Sequence, residues 1–158
     1  MSDRFSALLV HSRRVPFDSL NSALKELDIA TSSVSSLEEA SQLIPQTEPH
    51  LIFTDTTLAD GSWPDVINLT DRLGIPTSVI VVSPQTDIKL YWAVIERGGH
   101  DFLTPPFEHA WLELIVQRAA DDARCRRLAP APTVLARRLD PVKRREKGIT
   151  TDRMLQTS

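Results

Sequence analysis

Five times between Ala7 and Arg126, a short apolar run gives way to a longer stretch whose apolar residues recur at helical spacing. The runs cover residues 7–10, 29–31, 51–55, 77–83 and 102–104. Residues 77–83 constrain the fold most, because Val79-Ile80-Val81-Val82 has no polar face. Such a strand must be covered on both sides, as it is inside a parallel sheet with helices above and below. The helical stretches carry their own punctuation. Pro16 opens residues 17–27, with Phe17, Leu20, Leu24 and Leu27 on one stripe. Ser36 and Glu39 form a capping-box pattern ahead of a helix expected to end before Pro45. Residues 64–73 stop at Gly74, and residues 87–97 at Gly98-Gly99. The last helix is expected from about Glu108 to about Arg126. This order predicts an α/β domain built on a doubly wound, five-stranded parallel sheet with right-handed crossovers and helices on both faces.

The chain has 158 residues, 41% of them hydrophobic and 25% charged, which suits a globular domain with a sizeable core. One domain is expected over residues 5–126, followed by a linker and basic, disordered tail over 127–158. The linker reading rests on Ala129-Pro130-Ala131-Pro132, and the tail has no aromatics and little apolar periodicity. The net charge of −3 conceals an asymmetry: residues 1–128 carry 11 basic and 18 acidic side chains, residues 129–158 carry 7 and 3. An acidic body argues against nucleic-acid binding. The cluster Lys143-Arg144-Arg145-Glu146-Lys147 reads as solvated tail, with an acidic partner or nucleic acid as the alternative. No apolar run approaches the ~20 residues of a membrane span, and the N-terminus lacks a signal-peptide pattern. Cys125 has no second cysteine to pair with and no metal-ligand spacing around it, so a free thiol in a cytoplasmic protein is expected.

Asp55 closes the run Leu51-Ile52-Phe53-Thr54-Asp55, placing a carboxylate at the end of a buried strand. An Asp60-Gly61 loop follows, Val81-Val82-Ser83 ends the fourth strand, and Gly98-Gly99-His100-Asp101-Phe102-Leu103-Thr104-Pro105-Pro106-Phe107 surrounds the fifth. Over roughly residues 5–125 these pieces resemble the receiver domain of response regulators, of the chemotaxis-regulator type. The last resembles that family's Gly-Ala-Asp-Asp-Tyr-Leu-Thr-Lys-Pro-Phe signature. The resemblance implies a flavodoxin-like strand order 2-1-3-4-5 and a site at the carboxyl ends of the strands. It maps the phosphoacceptor onto Asp55, the switch hydroxyl onto Ser83 and the switch aromatic onto Phe102. Three positions depart from the family: His11-Ser12 stand where an acidic pair holds Mg²⁺, and Pro105 stands where a lysine meets the phosphoryl group. Mg²⁺ prefers an octahedron of oxygens, whereas imidazole suits transition metals. Phosphoryl transfer depends on charge neutralisation, so phosphorylation of Asp55 is expected to be slow or absent, as in a degenerate pseudo-receiver. No metal or other cofactor is expected, Mg²⁺ entering only if phosphotransfer is retained.

His11 is open to two readings, a protonated partner of Asp55 or a loop residue without a role. A hydrolase triad of His11, Asp55 and Ser83 is disfavoured, since Pro84 after the serine has no N–H for an oxyanion hole. Pro105–Pro106 is expected to be cis, as the corresponding Lys–Pro bond commonly is in the family. Trp63, just after the Asp55 loop, reads equally as a lid or as a staple. On the last helix Leu112, Val116 and Ala119 should face the sheet, leaving Trp111, Leu114 and Ile115 pointing elsewhere. With Tyr91, Trp92 and Ile95 on the fourth helix, Trp111 and Ile115 are the expected interface residues. The leading expectation is a non-enzymatic, stand-alone signalling module without an output domain. It would act through its helix 4–strand 5–helix 5 face on a homodimer or protein partner. The alternative is a working phosphorelay regulator, phosphorylated on Asp55 by a histidine kinase. Membrane and nucleic acid are not expected partners.

Overall fold

Each of the five apolar runs forms a parallel strand, and the computed structural model describes residues 5–128. Expectations for residues 129–158 lie outside the described residues. In chain order the elements are β1 (Ser6–Val10), α1 (Phe17–Glu26), β2 (Ala30–Val34), α2 (Leu37–Thr47), β3 (Leu51–Asp55), β4 (Thr57–Leu58), β5 (Gly61–Ser62), α3 (Trp63–Leu73), β6 (Ser78–Val82), α4 (Ile88–Glu96), β7 (Asp101–Leu103) and α5 (His109–Leu128). The main sheet has the order β2-β1-β3-β6-β7. With the small β4-β5 hairpin set aside, this is the expected 2-1-3-4-5. Pairing is parallel throughout, as in Phe53 opposite Leu9 on one side and Ile80 on the other.

Alternation along the central strands divides the core in two. Ala7, Leu9, Leu51, Phe53, Ile80 and Val82 meet Phe17, Leu20 and Leu24 of α1 and Leu112, Ile115 and Val116 of α5. On the opposite face Leu8, Val10, Ile52 and Val79 meet Ala40 and Ile44 of α2 and Val66 and Ile67 of α3. Phe17 and Phe53 are fully buried, each contributing roughly 1.5–3 kcal/mol of burial. In the turn that follows α4, Gly99 permits close approach to that helix, since a Cβ there would lie 2.5 Å from Val94 Cγ1. Val94 is the single buried residue of α4.

Local signals set most helix ends. Ser36 Oγ accepts from the Glu39 N–H at 3.1 Å, and Asp87 caps α4 through the Leu90 N–H at 3.1 Å. Gly74 closes α3 in the left-handed region at φ 70°. Two expectations are corrected. α2 does not end before Pro45 but continues to Thr47, with Pro45 exposed in its last turn. A proline there removes one helical hydrogen bond near an end, while Ile44 is buried and its carbonyl accepts from Glu48 N–H at 2.8 Å. The stretch after Asp55 is not simply a loop. Thr57 pairs with Ser62 and Leu58 with Gly61 in a tight antiparallel hairpin, pinned by buried Leu58. Among the described residues no helix is long and apolar enough to cross a membrane.

Candidate functional site

β1, β3 and β6 end together at the carboxyl edge of the sheet, and Asp55 is the last residue of β3. Its side chain is 0% exposed. An isolated carboxylate at such a position would be costly, so its partners decide its character. Oδ1 accepts the Thr56 N–H at 2.7 Å. The Arg13 guanidinium supplies the rest: Nε donates to Oδ2 at 2.9 Å, and Nη2 makes a very short contact with Oδ1. The fork of the guanidinium thus engages both carboxylate oxygens. Arg13 is held above its ordinary pKa, first by the hydrogen bond to Asp55 and further by that residue's charge, against the opposing effect of burial. Arg13 borders a shallow cleft with Ser12, Thr56, Thr57, Leu58 and Ala59.

Arg13 is the residue that sequence reasoning misses. Counting lost charges at His11 and Ser12 leaves Asp55 as the pocket's only charged group, yet the next residue returns a positive one. The signal lies in the pair Arg13-Arg14 directly after the first strand. His11, by contrast, is not the partner of Asp55. Its ring stacks on Phe17, with centroids 4.3 Å apart and planes 5° from parallel. Its Nδ1 lies 2.6 Å from the Arg13 carbonyl, a contact requiring the Nδ1–H tautomer as donor. The β1–α1 loop turns the imidazole toward the first helix, away from the carboxylate.

Ser83 is buried, but its hydroxyl is occupied locally: it donates to the Gln85 carbonyl at 2.9 Å and accepts from the Gln85 N–H at 3.2 Å. That closed turn satisfies the hydroxyl without recourse to Asp55. Phe102 is half-buried and meets Tyr91 edge-on at 6.4 Å. The Pro105–Pro106 bond is cis, as expected. Trp63 packs against the α2–α3 core, so it staples the hairpin to the body.

The donor set does not fit Mg²⁺. Among the described residues no three His, Cys, Asp or Glu side chains come together as a metal cluster, and both Asp55 oxygens already face a guanidinium. A divalent cation seeking several oxygen ligands would meet Ser12, Thr56 and a fixed positive charge.

Asp60, on the hairpin, has a structural task. Its carboxylate accepts from Leu37 N–H at 2.8 Å and Glu38 N–H at 3.1 Å, satisfying the first turn of α2. Those bonds hold its carboxyl below the usual range. The second surface of interest lies on α4, β7 and α5. Trp92 is 59% exposed and Trp111 56%, with Ile88 and Leu114 also exposed. Tyr91 and Ile95 are half-buried. Ile115 departs from expectation. It is 3% exposed and belongs to the core with Leu112 and Val116, because the buried stripe of α5 is wide enough to take positions 112, 115 and 116. It cannot line an interface.

Comparison with known proteins agrees with this geometry. The model of the response regulator receiver domain matches residues 7–117. The transcriptional regulatory protein HptR of Staphylococcus aureus is 34% identical over 80 residues, covering 51% of this chain and 31% of HptR. The chain therefore spans about a third of the length of that curated relative. The signal receiver domain of a putative Luxo repressor protein from Vibrio parahaemolyticus superposes with a TM-score of 0.69 at 28% identity, covering 79% of this chain and 96% of that one. The beryllofluoride-activated NtrC4 receiver domain, solved as a dimer, gives 0.66 at 22% identity, covering 75% and 98%. With its sheet order, its strand-end aspartate and this match over most of its length, the chain belongs to the response regulator receiver domain family.

Proposed function

We propose that this protein is a pseudo-receiver: a two-component signalling module that acts by protein–protein contact, with phosphorylation of Asp55 weak or absent. The observation that carries this reading is the Arg13 fork on both Asp55 oxygens. A phosphoryl donor would have to displace it from a buried carboxylate. Pro105 adds to the difficulty, because no lysine stands ready there to neutralise the transferring group. The receiver body itself is then the effector, and no catalytic residue is assigned.

The contact surface in this reading is the α4–β7–α5 face, with Trp92 and Trp111 as anchors and Ile88 and Leu114 beside them. Exposed aromatics flanked by Lys89, Arg97, Glu113 and Arg118 make an apolar centre with a charged rim. The occupant is a second copy or a protein partner, and a cytoplasmic location accompanies the reading. Incubation with acetyl phosphate and Mg²⁺, read by intact mass, tests it. The expected result is no stoichiometric gain of a phosphoryl group. A stoichiometric gain that disappears in Asp55→Asn would instead establish the phosphorelay alternative, with a histidine kinase as donor.

A further inference from the structure

We propose that Arg13 is a tethered cation standing in for the divalent ion at Asp55, that it holds the β1–α1 loop closed over the end of β3, and that His11 positions it. This deepens the preceding reading and rests on it.

The physical requirement comes from Asp55, whose side chain is 0% exposed while that of Arg13 is 50% exposed. The carboxylate needs a permanent positive partner, and a guanidinium is charged at every relevant pH. Its planar fork satisfies two oxygens at once, which a lysine ammonium would not do in the same geometry. A divalent cation needs those same oxygens and would be repelled by the guanidinium, so the two occupants exclude each other.

The loop is built to deliver this side chain. His11 N–H donates to the Val34 carbonyl at 3.0 Å, tying the loop's first residue to β2. Phe17, at its other end, is fully buried. Between them, the His11 ring bridges back: stacked on Phe17 at 4.3 Å, it reaches the Arg13 carbonyl at 2.6 Å. The Arg13 backbone is thereby fixed before its side chain is ordered, which lowers the entropy cost of the ion pair. His11 is thus a positioning residue acting through Arg13, without touching Asp55.

Two measurements on the full chain test this. Nitrogen–proton spectra should show, beside the bonded Nε–H groups of Arg126 and Arg127, a slowly exchanging arginine Nε–H that is lost in Arg13→Lys and shifts in Asp55→Asn. His11→Phe keeps the stack but not the hydrogen bond. It should speed exchange of that Nε–H while leaving the unfolding midpoint close to wild type. Thermal unfolding supplies the second readout: the wild-type midpoint should not respond to millimolar MgCl2. Arg13→Ala should fall by about 5–10 °C, and adding Asp55→Asn should recover much of that loss, because the stranded charge is gone. Should Arg13→Ala fail to fold, a folded double variant meets the same expectation.

Additive single-variant effects, an Nε–H indifferent to Asp55→Asn, or a wild-type midpoint raised by Mg²⁺ would overturn the tethered cation. An Nε–H unchanged in His11→Phe would overturn the positioning role. Phosphorylation of wild type would remove the functional reading while leaving the Arg13–Asp55 coupling measurable, so the two failures are distinguishable.

Discussion

Arg127 offers a direct test of where the folded body ends, because it clamps the edge of the sheet opposite Asp55. Its Nε donates to the Pro76 carbonyl at 3.0 Å, and its Nη2 to the carbonyls of Glu48 at 2.8 Å and Pro49 at 2.7 Å. One side chain thereby ties α5 to the segments leading into β3 and β6. Arg127→Met removes all three bonds while keeping much of the aliphatic stem. A hydrogen bond from a charged donor contributes about 1.5–3 kcal/mol when well shielded. The Glu48 bond is exposed, so water replaces it at little cost. Burial lowers the Arg127 pKa, a sign that desolvating the guanidinium offsets part of the gain. The two half-buried bonds then leave a net of about 2 kcal/mol, equivalent to roughly 5–10 °C in the unfolding midpoint. Circular dichroism melts of Arg127→Met, with the exposed Arg118→Met as control, measure it. A midpoint within a degree or so of the control would refute the clamp. The protected Arg13 Nε–H should persist in Arg127→Met, since the clamp and Asp55 occupy opposite edges. A chain ending after Arg126 should be destabilised at least as much, although residues 5–126 are the extent of the domain expected from the sequence.

Three further outcomes are expected. Burial is the leading cause that lowers the pKa of both His50 and His100 below 6.5 in the fold. The unfolded chain therefore takes up protons first, and stability falls as pH drops through about 6.5, flattening below the folded values. His50→Gln with His100→Gln should flatten urea stability between about pH 7 and 5, and an undiminished slope would sink the assignment. Trp111→Glu should leave the unfolding free energy of the monomer, measured at high dilution, within about 0.5 kcal/mol of wild type, because the residue is largely exposed. In light scattering it should convert a dimer to monomers, whereas a wild type monomeric at every concentration would eliminate the homodimer. Gly99→Ala should cost about 1–3 kcal/mol in chemical denaturation, as its methyl would meet Val94. A neutral result would mean that α4 yields easily.

The strands are legible in the sequence because continuous apolar, β-branched runs are properties of consecutive residues, and β3 matches its expected bounds at both ends. Capping is legible for the same reason: Ser36 and Glu39 meet as their spacing requires. Their box nevertheless differs in detail, since the Glu39 carboxylate accepts from Ser35 N–H at 2.8 Å. Local rules are weaker guides where tertiary packing competes with them. Pro45 has the local character of a terminator, but the buried Ile44 keeps the turn helical. Ile115 is different: it stands three residues after Leu112 and four before Ala119, so helical spacing itself places it on the buried stripe, and the expectation that it points elsewhere drew that stripe too narrow.

The sequence alone determined that Asp55 would end a central strand, and that an acidic pair and a lysine would be missing around it. Only the tertiary structure decided what neutralises that carboxylate. His11 is a candidate neighbour by analogy of position, one of its two readings from the sequence, yet the loop lays its ring on Phe17 and sends Arg13 to Asp55 instead. The two partners lie 42 residues apart. Periodicity along a chain states which groups will be buried. Which distant side chain reaches a buried charge depends on how adjacent strands bring their loops together, a matter of three-dimensional proximity that no local pattern encodes.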